Sequence, residues 1–175
     1  MPNGENILRD IIVYLGKRTR LQKTRIQKLM YLLEAEYADK HGKRLMTHPF
    51  YHDNYGMNSF VLETKVKKLR DDTIEIRDYV VESRAGYEIK IKPGTPDPDL
   101  NPDIKAACDL ILREYAPIHT VKQLATMAKR TLPFVGTPKG KMVDWSLLTD
   151  PCARGECNCE LTENGRRLLI EATER

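Results

Sequence analysis

Leu21-Gln22-Lys23-Thr24-Arg25-Ile26-Gln27-Lys28-Leu29-Met30-Tyr31-Leu32 is the stretch on which the fold turns. Thr24 followed three residues later by Gln27 has the form of a capping box, in which each side chain satisfies a free backbone N–H at a helix start. The spacing predicts a helix with Ile26, Leu29, Met30, Leu33 and Tyr37 on its buried face, stopping near His41-Gly42. Upstream, Ile7, Leu8, Ile11, Ile12 and Leu15 recur at helical spacing before Gly16, which predicts an amphipathic first helix from about Glu5 to Leu15. Between the two, Lys17, Arg18, Arg20, Lys23, Arg25 and Lys28 run with no acidic residue among them. Such a segment either faces phosphate or an acidic protein, or is simply a solvated loop and helix start.

Downstream, Leu45 to Gly56 has a proline, aromatics and histidines with no helical period, so it reads as a short extended segment and a turn. Ser59 suits the cap of a third helix with Leu62, Val66 and Leu69 inward and Lys65, Lys67, Lys68 and Arg70 on a basic outer face. Ile74 and Ile76, then Tyr87, Ile89 and Ile91, alternate with polar residues about a turn region at Glu82 to Gly86, which predicts a β-hairpin. Three helices followed by a hairpin is the order of a winged-helix module, an order also used by proteins that never touch DNA.

The proline-rich segment from Pro93 to Pro102 breaks regular structure and joins the two halves of the chain. Asn101 and Pro102 then announce a helix with an apolar stripe of Ile104, Ala107, Cys108, Ile111, Leu112 and Tyr115. Thr120 with Gln123 repeats the capping-box pattern for a fifth helix, with Val121, Leu124 and Ala128 inward and Pro133 as its end. Asp144 to Leu148 reads as one short helical turn, and Thr162 as the cap of a final helix carrying Leu168 and Leu169. The expected fold is α+β and mainly α, a helical domain with a winged-helix-like β-hairpin. Residues 1–150 form the domain, and residues 151–175 add a cysteine-containing loop and a C-terminal helix to it.

A chain of 175 residues can bury a core without disulfide or metal staples. Its 29 basic and 25 acidic residues leave a net charge of +4, too small an excess to imply nucleic-acid binding by itself. No apolar run approaches the roughly 18 residues that cross a bilayer, and Met1 to Glu5 does not open a leader peptide, so a cytoplasmic chain with no membrane contact is expected. Reduced thiols follow from that location. Cys152, Cys157 and Cys159 offer three thiolates to a zinc ion, with Cys108 or His119 as a fourth ligand. Their Cys-x4-Cys-x-Cys spacing departs from paired zinc knuckles, so no metal and no cofactor are assigned.

His48 and His52 flank Pro49, which argues for extended backbone and against a helical metal pair. Asp71, Asp72, Asp97 and Asp99 fall at a helix end and in the proline-rich connector, where solvated turn residues are usual. Gly136-Thr137-Pro138-Lys139-Gly140 lacks the Gly-Lys-Ser/Thr ending of a phosphate loop. Phe50, Tyr51 and Tyr55 could stack on bases, but such aromatics more often pack over the edge of a core. No residues fall into a catalytic pattern, and the chain is expected not to be an enzyme.

The Leu21 to Leu32 stretch with Gly42-Lys43-Arg44-Leu45 after it resembles the opening of the Panacea domain family, the SocA-type antitoxin domains. Tyr55-Gly56-Met57 stands where that family has a Tyr-Gly-Pro turn, and Ser59 to Leu69 supplies the helix that follows. Leu124 to Pro133 and Val143-Asp144-Trp145 are similar to the family's later helix and short C-terminal helix, so the resemblance spans Ile7 to Leu148. Met57 replaces the proline, and Met127-Ala128-Lys129-Arg130 stands where the family often has a histidine followed by tryptophan. The resemblance implies a noncatalytic domain that binds and neutralises a toxin, or hands a partner to a protease. The candidate partner-binding residues are Arg20, Arg25, Tyr51 and Tyr55, the cations steering the encounter and the aromatics supplying contact area. The alternative is a winged-helix DNA-binding regulator.

Overall fold

In the computed structural model, which describes residues 4–54, 56–81, 83–151 and 153, the stretch from Leu21 divides between two elements. Leu21–Gln22 is a short strand, β1, and Lys23–His41 is a helix, α2. The capping box does not form. Gln22 is the N-cap, in extended backbone and without a side-chain cap, and Thr24 lies exposed in the first turn. The pairing of β1 with a later strand sets the helix start two residues earlier than the Thr24 pattern suggests. Gln27 instead turns inward, its Nε2 donating to the Ser59 carbonyl and its Oε1 accepting from the Ser59 N–H, each at 3.0 Å.

α1 (Gly4–Gly16) precedes β1, with Leu8 and the run Ile11 to Leu15 buried, so its C-terminal half is covered on every side. α2 departs further from a one-sided helix. Every residue from Arg25 to Ala35 is buried, which makes α2 the central post of the fold rather than a surface helix. It ends as expected at Gly42, whose left-handed backbone (φ 63°) lets its N–H return to the Ala38 carbonyl at 2.9 Å.

β2 (Tyr51–Asp53) and β3 (Gly56–Asn58) pair antiparallel, Tyr51 opposite Asn58 and Asp53 opposite Gly56. Met142 bridges to Tyr51 on the other side, and the backbone bonds Val143 N–H to Phe50 O (2.7 Å) and His52 N–H to Lys141 O (2.9 Å) extend that pairing. α3 (Phe60–Lys68) follows, capped by Ser59 Oγ, which accepts from the Leu62 N–H at 3.2 Å. The expected hairpin is β4 (Ile74–Val81) with β5 (Arg84–Ile91), and the sheet order is β1-β5-β4, all antiparallel. Its inner face carries Ile74, Ile76, Tyr87 and Ile89, all buried.

α4 (Pro102–Glu114) and α5 (Val121–Ala128) start on the caps read from Asn101 and Thr120. Pro133 does not end α5. It sits in the first turn of a separate short helix, α6 (Leu132–Val135), where a missing N–H costs nothing. α7 (Ser146–Thr149) closes the described part. α2 packs against α3, α4, α5, α7, β1, β3 and β5, and the core gathers around it, with Tyr31, Phe50 and Trp145 in mutual ring contact at 5.5–6.2 Å. The chain is a mixed α+β fold with small antiparallel sheets. The final helix read from Thr162 lies outside the described residues.

Candidate functional site

The six cations between Lys17 and Lys28 do not share a surface. Lys17 (2.5 Å) and Arg18 both grip the Asp97 carboxylate, which their hydrogen bonds hold at a pKa of about 2. Arg20 pairs with Glu88 on β5, and Lys23 with Glu63 on α3 at 2.9 Å. Arg25, expected to steer a partner, is only 8% exposed, and its guanidinium donates at 2.6 Å each to the Ile118 and Ala116 carbonyls. That correction has a simple cause: the link between α4 and α5 presents carbonyls without helical partners, and Arg25 supplies their donors, so it positions α5 and does not meet solvent. Arg20 keeps an exposed side chain, and Tyr51 stands 39% exposed on β2 beside Met142. Tyr55, the fourth expected contact, lies outside the described residues.

Lys28, like Arg25, is buried and bonded to backbone, but it borders a cleft. It is 3% exposed, its Nζ donates to the Met57 carbonyl of β3 at 2.5 Å, and it makes no ion pair among the described residues. Burial pulls its pKa down to about 8, with Asp53 opposing and Lys129 reinforcing the shift. The ammonium lies at the floor of a cleft of about 780 Å³ between α2, the β2–β3 pair and α5.

Among the described residues, four lysines line this cleft, Lys23, Lys28, Lys122 and Lys129, against one carboxylate, Asp53. On α5 the spacing places Lys122, Ala125, Thr126 and Lys129 on one helical face toward the cleft while Leu124 and Ala128 face the core. Gly56 keeps the floor open. Its backbone is left-handed (φ +97°), and a Cβ there would lie 3.3 Å from Lys28 Nζ. The sequence places Lys28 in a basic segment that either faces phosphate or an acidic protein or is solvated, and it assigns α5 only its inward face. The signal it passed over is the Lys122-x6-Lys129 spacing with small residues between, which marks a second, open face of α5.

The other sequence candidates do not come together. His48 is 3% exposed with neither ring nitrogen partnered, and burial pulls its pKa down to about 4. His52 Nδ1 instead meets the Thr137 carbonyl at 2.7 Å, its ring 4.0 Å from that of Phe134. Cys108 is buried in the core, its thiol pushed up to about 12, while Cys152, Cys157 and Cys159 lie outside the described residues. Among the described residues no three His, Cys, Asp or Glu side chains gather to hold a metal, and no helix is long and apolar enough to cross a membrane. No protein-family model matches the chain, and no curated protein and no solved structure matches it.

Proposed function

We propose that the chain is a noncatalytic domain that binds a protein partner, acting as a toxin-neutralising antitoxin or proteolysis adapter. The contact face runs from β2 and its neighbouring strand to the start of α3. The observation that carries this reading is where apolar surface is left uncovered. Tyr51, Phe60, Val61 and Met142, the second of them 69% exposed, are four of the six large hydrophobic side chains exposed among the described residues. Tyr51 and Met142 face each other across the strand pairing, and Phe60 and Val61 follow closely on Asn58, the partner of Tyr51. Grouped exposure of this kind marks interaction surfaces, and aromatic anchors dominate their energetics. The antitoxin role itself rests on the Panacea resemblance. Arg20 stays in the reading as a rim charge that steers encounter.

The test is affinity purification of the tagged chain from its own lysate, with and without nuclease, beside a Phe60→Ala/Met142→Ala variant. The expected result is a stoichiometric protein that survives nuclease and whose recovery falls at least tenfold with the variant, about 1.4 kcal/mol or more of binding. Equal recovery by a variant with an unchanged thermal melt sinks the assigned face.

One observation favours a second reading, a winged-helix DNA binder. The β4–β5 hairpin follows three helices and is joined in its sheet by β1, which leads directly into α2. Two cations of the basic face read for this helix are already engaged, which weighs against it: Lys67 bonds Glu63 at 3.0 Å and lies over the Tyr87 ring, and Arg70, just past α3, donates to the Ile76 carbonyl. Nucleic acid that copurifies and is stripped by moderate salt would favour this reading, because phosphate contacts release counterions.

A further inference from the structure

We propose that the cleft between α2, the β2–β3 pair and α5 is a binding site for a small phosphate-bearing molecule, with Lys28 at its floor and Lys122 and Lys129 on its wall as the charge receptors. The cleft shares the β2–β3 pair with the partner-binding face, but the proposal does not depend on that reading.

Three observations carry it. The first is uncompensated charge in a concave place. Lys23 is held by Glu63, but among the described residues Lys122 and Lys129 make no ion pair and Asp53 is the one carboxylate in the lining. Three cations therefore converge on a single acid, an excess that a ligand with two or more negative charges neutralises and a lone carboxylate does not.

The second is the position of Lys28. An ammonium withdrawn from water is expensive unless other groups replace its hydration. Here one carbonyl, that of Met57, takes one of its three donors, and Lys28 lines the cleft. A buried ammonium with a single carbonyl partner and a place in a cleft lining fits a ligand role. Gly56 adds to this, since a side chain at that position would crowd the ammonium.

The third is the form of the receptors. All of the cations are lysines, which act as compact point charges with rotatable donors and suit the tetrahedral phosphate. Among the described residues no arginine fork, which would favour planar carboxylates, lines the cleft. The first turn of α2 borders it with no acidic residue and no side-chain cap on its free N–H groups, adding a partial positive charge. The volume of about 780 Å³ lies in the range of small-molecule sites, large enough for a nucleotide.

The experiment is calorimetric titration of the purified full chain with inorganic phosphate, pyrophosphate, ATP, citrate and a duplex DNA, alongside amide chemical shifts. Saturable one-to-one binding of pyrophosphate or ATP is expected, with shifts in residues 53–58 and 121–129. The Lys122→Ala/Lys129→Ala variant should lose at least tenfold in affinity while keeping its thermal melt, since both side chains are exposed. Lys28→Gln should weaken binding as well. ATP tighter than pyrophosphate identifies a nucleotide as the source of the phosphate, and equal affinity identifies the phosphates as the whole ligand; either supports the site. The proposal is overturned by an absence of saturation with both at millimolar concentration, by undiminished binding in the double variant, or by citrate binding as tightly as pyrophosphate. Duplex DNA binding that pyrophosphate does not displace would overturn it too.

Discussion

Lys28 and Glu34 sit six residues apart on α2, both buried and both capable of charge, and the fold treats them in opposite ways. Glu34 is fully enclosed. Its Oε1 accepts from Arg44 Nε and its Oε2 from the Met46 N–H, each at 2.8 Å, while Arg44 also reaches the His48 carbonyl at 2.7 Å and lies over the Trp145 ring. Burial pushes the Glu34 pKa up to about 7, against the pull of Arg44 and the two backbone N–H groups beside it. Every bond around Glu34 returns to the chain, pinning the segment after α2 onto the helix. Lys28 has one carbonyl, no ion pair and an open cleft above it. A charge used to hold the fold is surrounded by its own partners, whereas a charge kept for a ligand is left with donors to spare.

The strongest attack on this contrast removes the partner of Glu34. Arg44→Ala leaves a buried carboxylate without its cation, and the expected loss is about 3 kcal/mol at pH 7, read by urea denaturation. The pH dependence has a definite sign. The folded pKa of Glu34 lies above its ordinary value, so this group's contribution is fully present below about 4.5 and is lost as pH rises through about 7. Without Arg44 the folded pKa rises further, so the variant should lose less stability at pH 4.5 than at pH 7. A loss under about 1 kcal/mol at pH 7 would mean that the pair is not what anchors Arg44 to α2.

A smaller effect is expected at Gly56. Gly56→Ala combines a left-handed backbone with crowding of Lys28 Nζ, and should cost about 2 kcal/mol. Gly94 is the internal control, with φ +81° and nothing within 4 Å of an added Cβ. Gly94→Ala should therefore show the backbone cost alone, about 1 kcal/mol. Equal losses in thermal or chemical denaturation would mean that the ammonium moves freely aside and that Gly56 does not guard it.

Much of the fold was legible because its signals are local. Ser59, Asn101 and Thr120 cap helices where their sequence positions say they should, Gly42 ends α2, and the alternation of Ile74, Ile76, Tyr87 and Ile89 sets the inner face of the hairpin. Thr24 and Gln27 carry the same local pattern as Thr120 and Gln123, yet Gln27 spends its amide on Ser59, far along the chain. Long-range backbone partners outcompete a cap when the helix is buried on all sides. The site was less legible for the same reason. Arg20 and Tyr51 were found as exposed groups, but the burial of Arg25 depends on the carbonyls of Ala116 and Ile118, and that of Lys28 on the carbonyl of Met57. Lys122 and Lys129 share a helix face in the sequence, and only the placement of β2 and β3 opposite turns that face into the wall of a cleft.

The smallest stability change, and the sharpest test of the contrast, belongs to Lys28→Met. At pH 7 the substitution removes the cost of a buried ammonium but leaves the Met57 carbonyl without its donor, a loss of about 1–3 kcal/mol on its own. The two effects oppose, so the net change should stay within about 1 kcal/mol. Their signature is in the pH profile. The folded chain gives up the Lys28 proton near pH 8 and the unfolded chain near 10.5, so between those values the unfolded state binds more protons and stability rises with pH. At about 1.4 kcal/mol per unit, the wild-type protein gains up to roughly 3 kcal/mol from this group across the window, and the Met variant gains none. Comparing the two chains in denaturant from pH 7 to 10.5 cancels the tyrosine ionisations they share. A Met variant destabilised by more than about 2 kcal/mol at pH 7, with a profile parallel to wild type, would place Lys28 beside Glu34 as a group that holds the fold. A near-neutral variant with a flat difference at low pH and a divergence above pH 8 would leave Lys28 as the charge that the chain carries at a cost to its own stability.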